Sequence, residues 1–275
     1  MTLEVRPGCL AMEGVLMPEL QVNGVRLYYE EHGQGPPILC VHGTGGSALM
    51  WGAAVPELAR LGRVIVYDRR GCTRSQRPDP YDKTSVAEHA DDAAALLDAL
   101  GAAPAAVIGR SYGGEIATDL VLRYPQRVRA LVLLEGASLS LAAEAVAWEE
   151  SLRRRVQAAA ADDPASVGET FIRAVLGDAA WDGFPAPVKQ MFADNGPAIL
   201  AEVTSGSLQV DQAALASVDQ PTLLVAAASS PEAFRQVTAA MAAAMTNSRT
   251  FIVEGGHLIN PADPAVLGFL QELPR

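Results

Sequence analysis

Three short stretches of this chain carry residue types that could cleave an acyl bond. Gly109-Arg110-Ser111-Tyr112-Gly113 follows the apolar run Ala105–Ile108 and precedes a helical pattern that starts near Gly114. A G-x-S-x-G segment between strand and helix makes a tight turn that lifts the serine hydroxyl clear of a sheet. Side chains at the flanking glycine positions would collide with neighbouring strand or helix. The simpler alternative is a serine that merely caps the helix; the strand before it and the helix after it favour the turn. A serine hydroxyl needs a base near neutral pH, and histidine, with a reference pKa of about 6.5, is the natural partner. The chain has four His. His32 falls in an N-terminal hairpin, His42 in a loop after the third strand, and His89 on an exposed-looking helix. His257, in Glu254-Gly255-Gly256-His257, lies just past the last strand, at the end of a parallel sheet where ligands bind. Its alternative is an ordinary loop histidine. In the third stretch, His42-Gly43-Thr44-Gly45-Gly46, glycines let backbone N–H groups approach a substrate oxygen. The N–H groups of Thr44 and Tyr112 would form an oxyanion hole. A phosphate loop is disfavoured because no Gly-Lys-Ser/Thr follows.

These residues need a sheet to hold them at one rim. Asn23-Gly24 between Leu20-Gln21-Val22 and the run Val25–Tyr29 predicts an opening hairpin. Continuous apolar runs then follow at Ile38–Val41, Val64–Tyr67, Ala105–Ile108, Leu131–Leu134, Thr222–Val225 and Arg249–Val253. Such runs mark strands covered on both faces, and their alternation with helical patterns marks a mostly parallel sheet. Thr84–Leu100 reads as a helix, capped by Thr84 or Ser85 and ended by Gly101. Ser230-Pro231-Glu232 opens another, with Pro231 at its first position. More than 80 residues separate Leu134 from Thr222 without a convincing strand. Segments such as Leu141–Ala160 and Ser166–Leu176 within that interval read as helices, so it is a helical insertion rather than a loop. Trp181 and Phe184, beside Gly183 and Pro185, are candidate pocket walls.

The 275 residues carry a net charge of −11, with 49 % hydrophobic and 19 % charged residues. That composition excludes a disordered chain. Its acidity gives no attraction for nucleic acid or anionic membrane surfaces. No apolar run approaches the roughly 18–20 residues that span a bilayer. Glu4, Arg6, Pro7 and Glu13 interrupt the apolar start, so no signal-peptide core is expected. Cys9, Cys40 and Cys72 are odd in number and lack metal-ligand spacing. A cytoplasmic protein with reduced thiols is the expectation, acting on a small molecule as a monomer or homodimer.

His42-Gly43, Asp68-Arg69-Arg70-Gly71, the Ser111 turn, Tyr124-Pro125-Gln126-Arg127-Val128 and Gly256-His257 occur in an order that resembles the α/β-hydrolase fold family over nearly the whole chain. The resemblance implies an α/β fold with a mostly parallel eight-stranded sheet flanked by helices. It also implies a helical cap inserted after strand six. Residues 1–136 and 219–275 would form the core and residues 137–218 the cap. A Ser–acid–His hydrolase without metal or organic cofactor is the implied activity. One departure follows Asp68, where Thr73 stands at a position that is often glycine in the family.

A second departure concerns the acid. Most members carry an Asp after strand seven, but Val225-Ala226-Ala227-Ala228-Ser229-Ser230-Pro231 holds no carboxylate. Between Gln220 and Ala262 the only acids are Glu232, placed to open a helix, and Glu254, which runs into the His257 loop. Glu135, after Leu131–Leu134, puts a carboxylate at the rim one strand from Ser111. There it could orient His257 and stabilise its imidazolium. Some haloalkane dehalogenases and zearalenone lactonases carry their acid at this place. Tyr28-Tyr29-Glu30 and Gly33-Gln34-Gly35-Pro36 also resemble the lactonases, as does the acid-free stretch from Val225 to Phe234. The expected function is hydrolysis of a carboxylic ester or lactone by Ser111, His257 and Glu135. C–C bond or thioester hydrolysis, cofactor-free perhydrolysis and a small-molecule receptor are the alternatives. An epoxide hydrolase or dehalogenase would need an Asp where Ser111 stands.

Overall fold

Asn23 and Gly24 both adopt positive φ, +43° and +78°, the turn that joins two strands through two residues. It links β1 (Glu19–Val22) to β2 (Val25–His32) in antiparallel register, with Val22 opposite Val25. A computed structural model describes residues 18–274. Cys9 and the N-terminal residues Glu4, Arg6, Pro7 and Glu13 lie outside the described residues.

The remaining strands are β3 (Pro37–Val41), β4 (Arg63–Tyr67), β5 (Ala105–Arg110), β6 (Val128–Leu134), β7 (Thr222–Ala227) and β8 (Ser248–Val253). They form one eight-stranded sheet in the order β1-β2-β4-β3-β5-β6-β7-β8. From β4 to β8 every neighbouring pair is parallel. Parallel pairs need crossover connections. These contain α1 (Val55–Leu58), α2 (Val86–Ala99) and α3 (Tyr112–Arg123). Between β6 and β7 lie α4 (Ala143–Asp162), α5 (Val167–Leu176), α6 (Asp178–Gly183), α7 (Ala186–Asp194), α8 (Gly196–Ser205) and α9 (Gln212–Ala216). After them come α10 (Glu232–Ala244) and α11 (Pro264–Glu272). The long interval is helical, as its patterning predicts, and α4 packs on α5, α8 and α10.

Strand side chains alternate between two cores. Leu39, Val41, Val107, Leu131 and Leu133 face α2, α3 and α10. Ile38, Cys40, Ile108, Val132 and Leu134 face Trp51, Leu58 and Phe269. Covering both faces explains why the central strands read as unbroken apolar runs. β8 departs from that expectation: Arg249–Ile252 are exposed, because the strand ends the sheet and pairs only with β7. Cys40 and Cys72 are buried free thiols.

Two local expectations need correction. Pro231 is the residue before α10 rather than its first residue. His89 is buried, not exposed: it faces the sheet side of α2 and meets the Tyr112 ring edge-on at 5.7 Å. Among the described residues no helix is long and apolar enough to cross a membrane. Nor do three His, Cys, Asp or Glu side chains gather there as metal ligands.

Candidate active site

Arg110 and Leu134 are paired at the ends of β5 and β6, so the next residues, Ser111 and Glu135, leave the sheet side by side. Both take positive φ, +53° and +47°. Non-glycine residues held there cost of order 1–3 kcal/mol each, which the surroundings must impose. At Ser111 they do so by crowding: a Cβ on Gly113 would overlap the Val41 carbonyl, and one on Gly109 would overlap Gly113. The Ser111 N–H donates to Leu134 O at 3.1 Å, which ties the turn to β6. The glycines of the motif are therefore demanded by close backbone approach.

The same end of the sheet holds Glu135, which is fully buried. Its N–H donates to Val225 O at 2.9 Å. Its carboxylate accepts from the Ala227 N–H at 2.8 Å and the Ser230 hydroxyl at 2.6 Å. A third donor is His257 Nδ1, at 2.6 Å. A carboxylate at Nδ1 assigns the ring proton to that nitrogen and leaves Nε2 as the basic one. His257 Nε2 is buried and without a hydrogen-bond partner among the described residues. His257 and Ser111 line the same cavity. Phe234 of α10 stacks on the imidazole with centroids 4.0 Å apart, and Trp148 of α4 meets Phe234 edge-on. Arg110 Nη2 donates to Ile259 O at 2.6 Å and so fastens the loop that carries His257. Burial lowers the Arg110 pKa to about 10.

Glu232 stands elsewhere. Its side chain is 60 % exposed and pairs with Arg235 on the surface of α10. Of the carboxylates named from the sequence, Glu135 is the one brought to His257.

Thr44 follows β3 and lines both cavities that flank Ser111. No partner takes its N–H among the described residues. Tyr112 is the first residue of α3, so its N–H precedes the intrahelical ladder. The Thr44 loop is braced from below. His42 Nδ1 donates to Gly43 O at 2.8 Å, and His42 Nε2 accepts the Arg69 N–H at 2.9 Å. Burial, reinforced by the Arg69 charge, holds the His42 pKa well below its ordinary value, so this ring is neutral and structural.

One cavity runs from Ser111 past Tyr112 to Trp148, Phe171 and Phe234, with Glu115 and Glu202 in its wall. Burial, with Glu149 and Glu202 nearby, pushes the Glu115 pKa well above its ordinary value, although the Leu208 N–H opposes the shift. The other cavity runs past His257 to Met50, Phe192 and Leu258. Trp181 and Phe184 line neither. They lie one layer back, Phe184 stacked on Phe192 at 6.0 Å and Trp181 tilted against it at 6.5 Å. The aromatic walls are Trp148, Phe171, Phe192 and Phe234 instead. Nothing local in the sequence marks these four as walls.

The alpha/beta hydrolase fold family matches residues 36–264 of the chain. A provisionally named carbamate hydrolase of Azorhizobium caulinodans is 42 % identical over 120 residues, 44 % of each chain. The chain thus spans less than half the length of that curated relative. A solved N-acyl homoserine lactone degrading enzyme superposes with a TM-score of 0.71 at 25 % identity, covering 90 % of this chain and 96 % of that one. A thermophilic esterase from Thermogutta terrifontis superposes with a TM-score of 0.73 at 25 % identity, covering 92 % and 95 %.

Proposed function

The chain belongs to the alpha/beta hydrolase family, and we propose that within it the protein is a serine hydrolase of carboxylic esters or lactones. The reading rests on one observation above others. His257 gives Nδ1 to a buried carboxylate at 2.6 Å and keeps Nε2 unpartnered in the cavity it shares with Ser111.

The proposed reaction begins when Ser111 Oγ attacks the substrate carbonyl carbon and His257 Nε2 takes the hydroxyl proton. Negative charge moves to the carbonyl oxygen, where the N–H groups of Thr44 and Tyr112 meet it. Removing one such donor typically costs about 3 kcal/mol of barrier. Glu135 stabilises the imidazolium and keeps the ring in the required tautomer. Collapse of the adduct breaks the bond to the leaving oxygen, which takes the proton back from His257. Water then attacks the acyl-enzyme by the same route and releases the acid and the free serine. The leaving group must lie within reach of His257, so it occupies the cavity beside Met50 and Leu258. The acyl body fills the cavity walled by Trp148 and Phe234. Residues 137–218 act as a cap over a core whose described residues are 18–136 and 219–274, and the cap supplies most of the wall of the acyl cavity.

The two superposing enzymes, one acting on lactones and one an esterase, support this substrate class. The place of Glu135 after β6 supports the likeness to zearalenone lactonases. A small-molecule ester or lactone handled in the cytoplasm, with no metal or organic cofactor, fits the reading.

The test is a panel of p-nitrophenyl esters, aliphatic lactones and carbamates, run beside labelling with a fluorophosphonate. Multiple turnover of an ester or lactone is expected, with Ser111 the labelled residue. Ser111→Ala should lower kcat at least 10³-fold or so, since only the nucleophile is removed, and leave Tm nearly unchanged. Binding without turnover, or labelling of another serine, would overturn the proposal.

A further inference from the structure

The N–H of Thr44 can stabilise an oxyanion only if its direction is held, and the loop's own contacts are joined in this by residues far along the chain. In a planar trans peptide the Gly43 carbonyl and the Thr44 N–H point in opposite directions. Fixing one therefore fixes the other. The Gly43 oxygen accepts from three donors: His42 Nδ1 at 2.8 Å, Arg69 Nη2 at 3.1 Å and the Gly46 N–H at 3.1 Å. Arg69 also donates Nε to His42 O at 3.0 Å.

Arg69 is completely buried. Burial alone would lower its pKa, but the Glu202 carboxylate beside it raises the pKa overall. The Arg69 Nη1–Glu202 Oε1 distance is 2.8 Å, and Glu202 belongs to α8. A second residue at the start of the same helix grips the next turn of the loop. The Asn195 amide donates to Gly45 O at 2.9 Å and Gly46 O at 3.1 Å, while its oxygen accepts the Thr73 N–H at 2.7 Å. Asn195 is fully buried. Between these two, Ile199 packs so closely on Gly45 that a Cβ there would come within 2.6 Å of its side chain. Asn195, Ile199 and Glu202 are spaced i, i+4, i+7 and so lie on one face of the helix.

From this we infer that α8, an element of the insertion and not of the sheet, sets the oxyanion donor through that face. Asn195, Ile199 and Glu202 are positioning residues that act through Gly43–Gly46, with Arg69 as the link from Glu202 to the Gly43 oxygen. The inference rests on the serine-hydrolase reading above and adds to it the part of the chain that tunes the transition state. Thr73 belongs to the same device: it takes positive φ, +45°, where the family often has glycine, and the Asn195 oxygen holds its N–H.

The experiment uses the full chain with Asn195→Ala, Asn195→Asp, Glu202→Gln and, as the mildest change, Ile199→Val. Active sites are titrated to completion with a fluorophosphonate, so that kcat for p-nitrophenyl acetate is expressed per competent site. Affinity for an aryl trifluoromethyl ketone is measured in parallel, because its serine adduct places an alkoxide in the oxyanion hole. Asn195→Ala and Glu202→Gln should lower per-site kcat by roughly 10–100-fold with KM changed less than about threefold, as expected when a donor is displaced rather than deleted. Ketone affinity should fall by the same factor. Asn195→Asp should be no better than Asn195→Ala. A carboxylate still accepts the Thr73 N–H but has no donor for Gly45 and Gly46. If Asn195→Ala does not fold, Ile199→Val should still lower kcat and ketone affinity together, by roughly two- to fivefold. Unchanged per-site kcat with only a lower titre or Tm would overturn the inference and leave the serine-hydrolase reading intact. Recovery of kcat in Asn195→Asp would overturn it too. Failure of the wild-type chain to label at Ser111 would instead remove the reading on which it rests.

Discussion

Glu135→Gln preserves shape and removes charge at the carboxylate that His257 faces. In the native site the two oxygens of Glu135 serve three donors: the Ala227 N–H, the Ser230 hydroxyl and His257 Nδ1. A glutamine amide has one oxygen, and Ala227, whose backbone cannot turn, claims it. The NH2 group then faces His257 Nδ1 at about the former 2.6 Å contact. Two donors cannot share that contact, so the ring shifts its proton to Nε2 and presents an N–H to Ser111 instead of a base. Loss of a hydrogen bond to a charged group costs about 1.5–3 kcal/mol, a factor of roughly 10–150 in rate. The wrong tautomer adds to that, and the comparable change in a serine protease costs about 10⁴ in kcat. A loss of roughly 10²–10⁴ in kcat is therefore expected, measured per titrated site with p-nitrophenyl acetate. Glu232→Gln is the internal control. Its exposed ion pair with Arg235 lies on the surface of α10, and kcat should stay within about twofold, as surface pairs contribute little. Less than tenfold loss in Glu135→Gln, or a larger loss in Glu232→Gln, would refute the reasoning.

Two further predictions concern folding. Gly113→Ala places a methyl group against the Val41 carbonyl; overpacking of this kind costs about 3 kcal/mol, a fall in Tm of roughly 6–12 °C by calorimetry. An unchanged Tm would show that the turn can relax. The buried Glu115 has a pKa raised well above 4.5, so the folded chain keeps a proton that the unfolded chain has lost. That contribution to stability is fully present below the unfolded value and fades as pH rises through the folded one. Glu115→Gln stays neutral throughout, so its Tm should gain on wild type as pH rises above the ordinary carboxylate range; a difference that does not change with pH would count against the raised pKa.

Much of this molecule is local and was readable as such. Strand runs, the Asn23-Gly24 turn and the glycines around Ser111 answer to neighbours within a few residues, or to both faces of a sheet being covered. Glu135 is legible by subtraction, because Val225–Pro231 holds no carboxylate and Glu135 ends an otherwise apolar strand one strand from Ser111. His257 was legible because few histidines were available and one stood past the last strand.

What the sequence leaves open depends on contacts between distant segments. His257 and Glu135 are 122 residues apart, and Asn195 lies 150 from Gly45. No periodicity marks Asn195 or Glu202 as partners of the Gly43–Gly46 loop, since a buried polar residue at or on a helix looks the same as an exposed one until its partner is placed. The pocket walls show the same limit. Trp181 and Phe171 are both aromatic and both buried on insertion helices, yet only Phe171 lines the cavities. Composition decides that such side chains are buried. The rotation of each helix about its axis, set for α5 by packing on α4, α7 and α8 and for α6 by packing on α5, decides which of them a substrate meets.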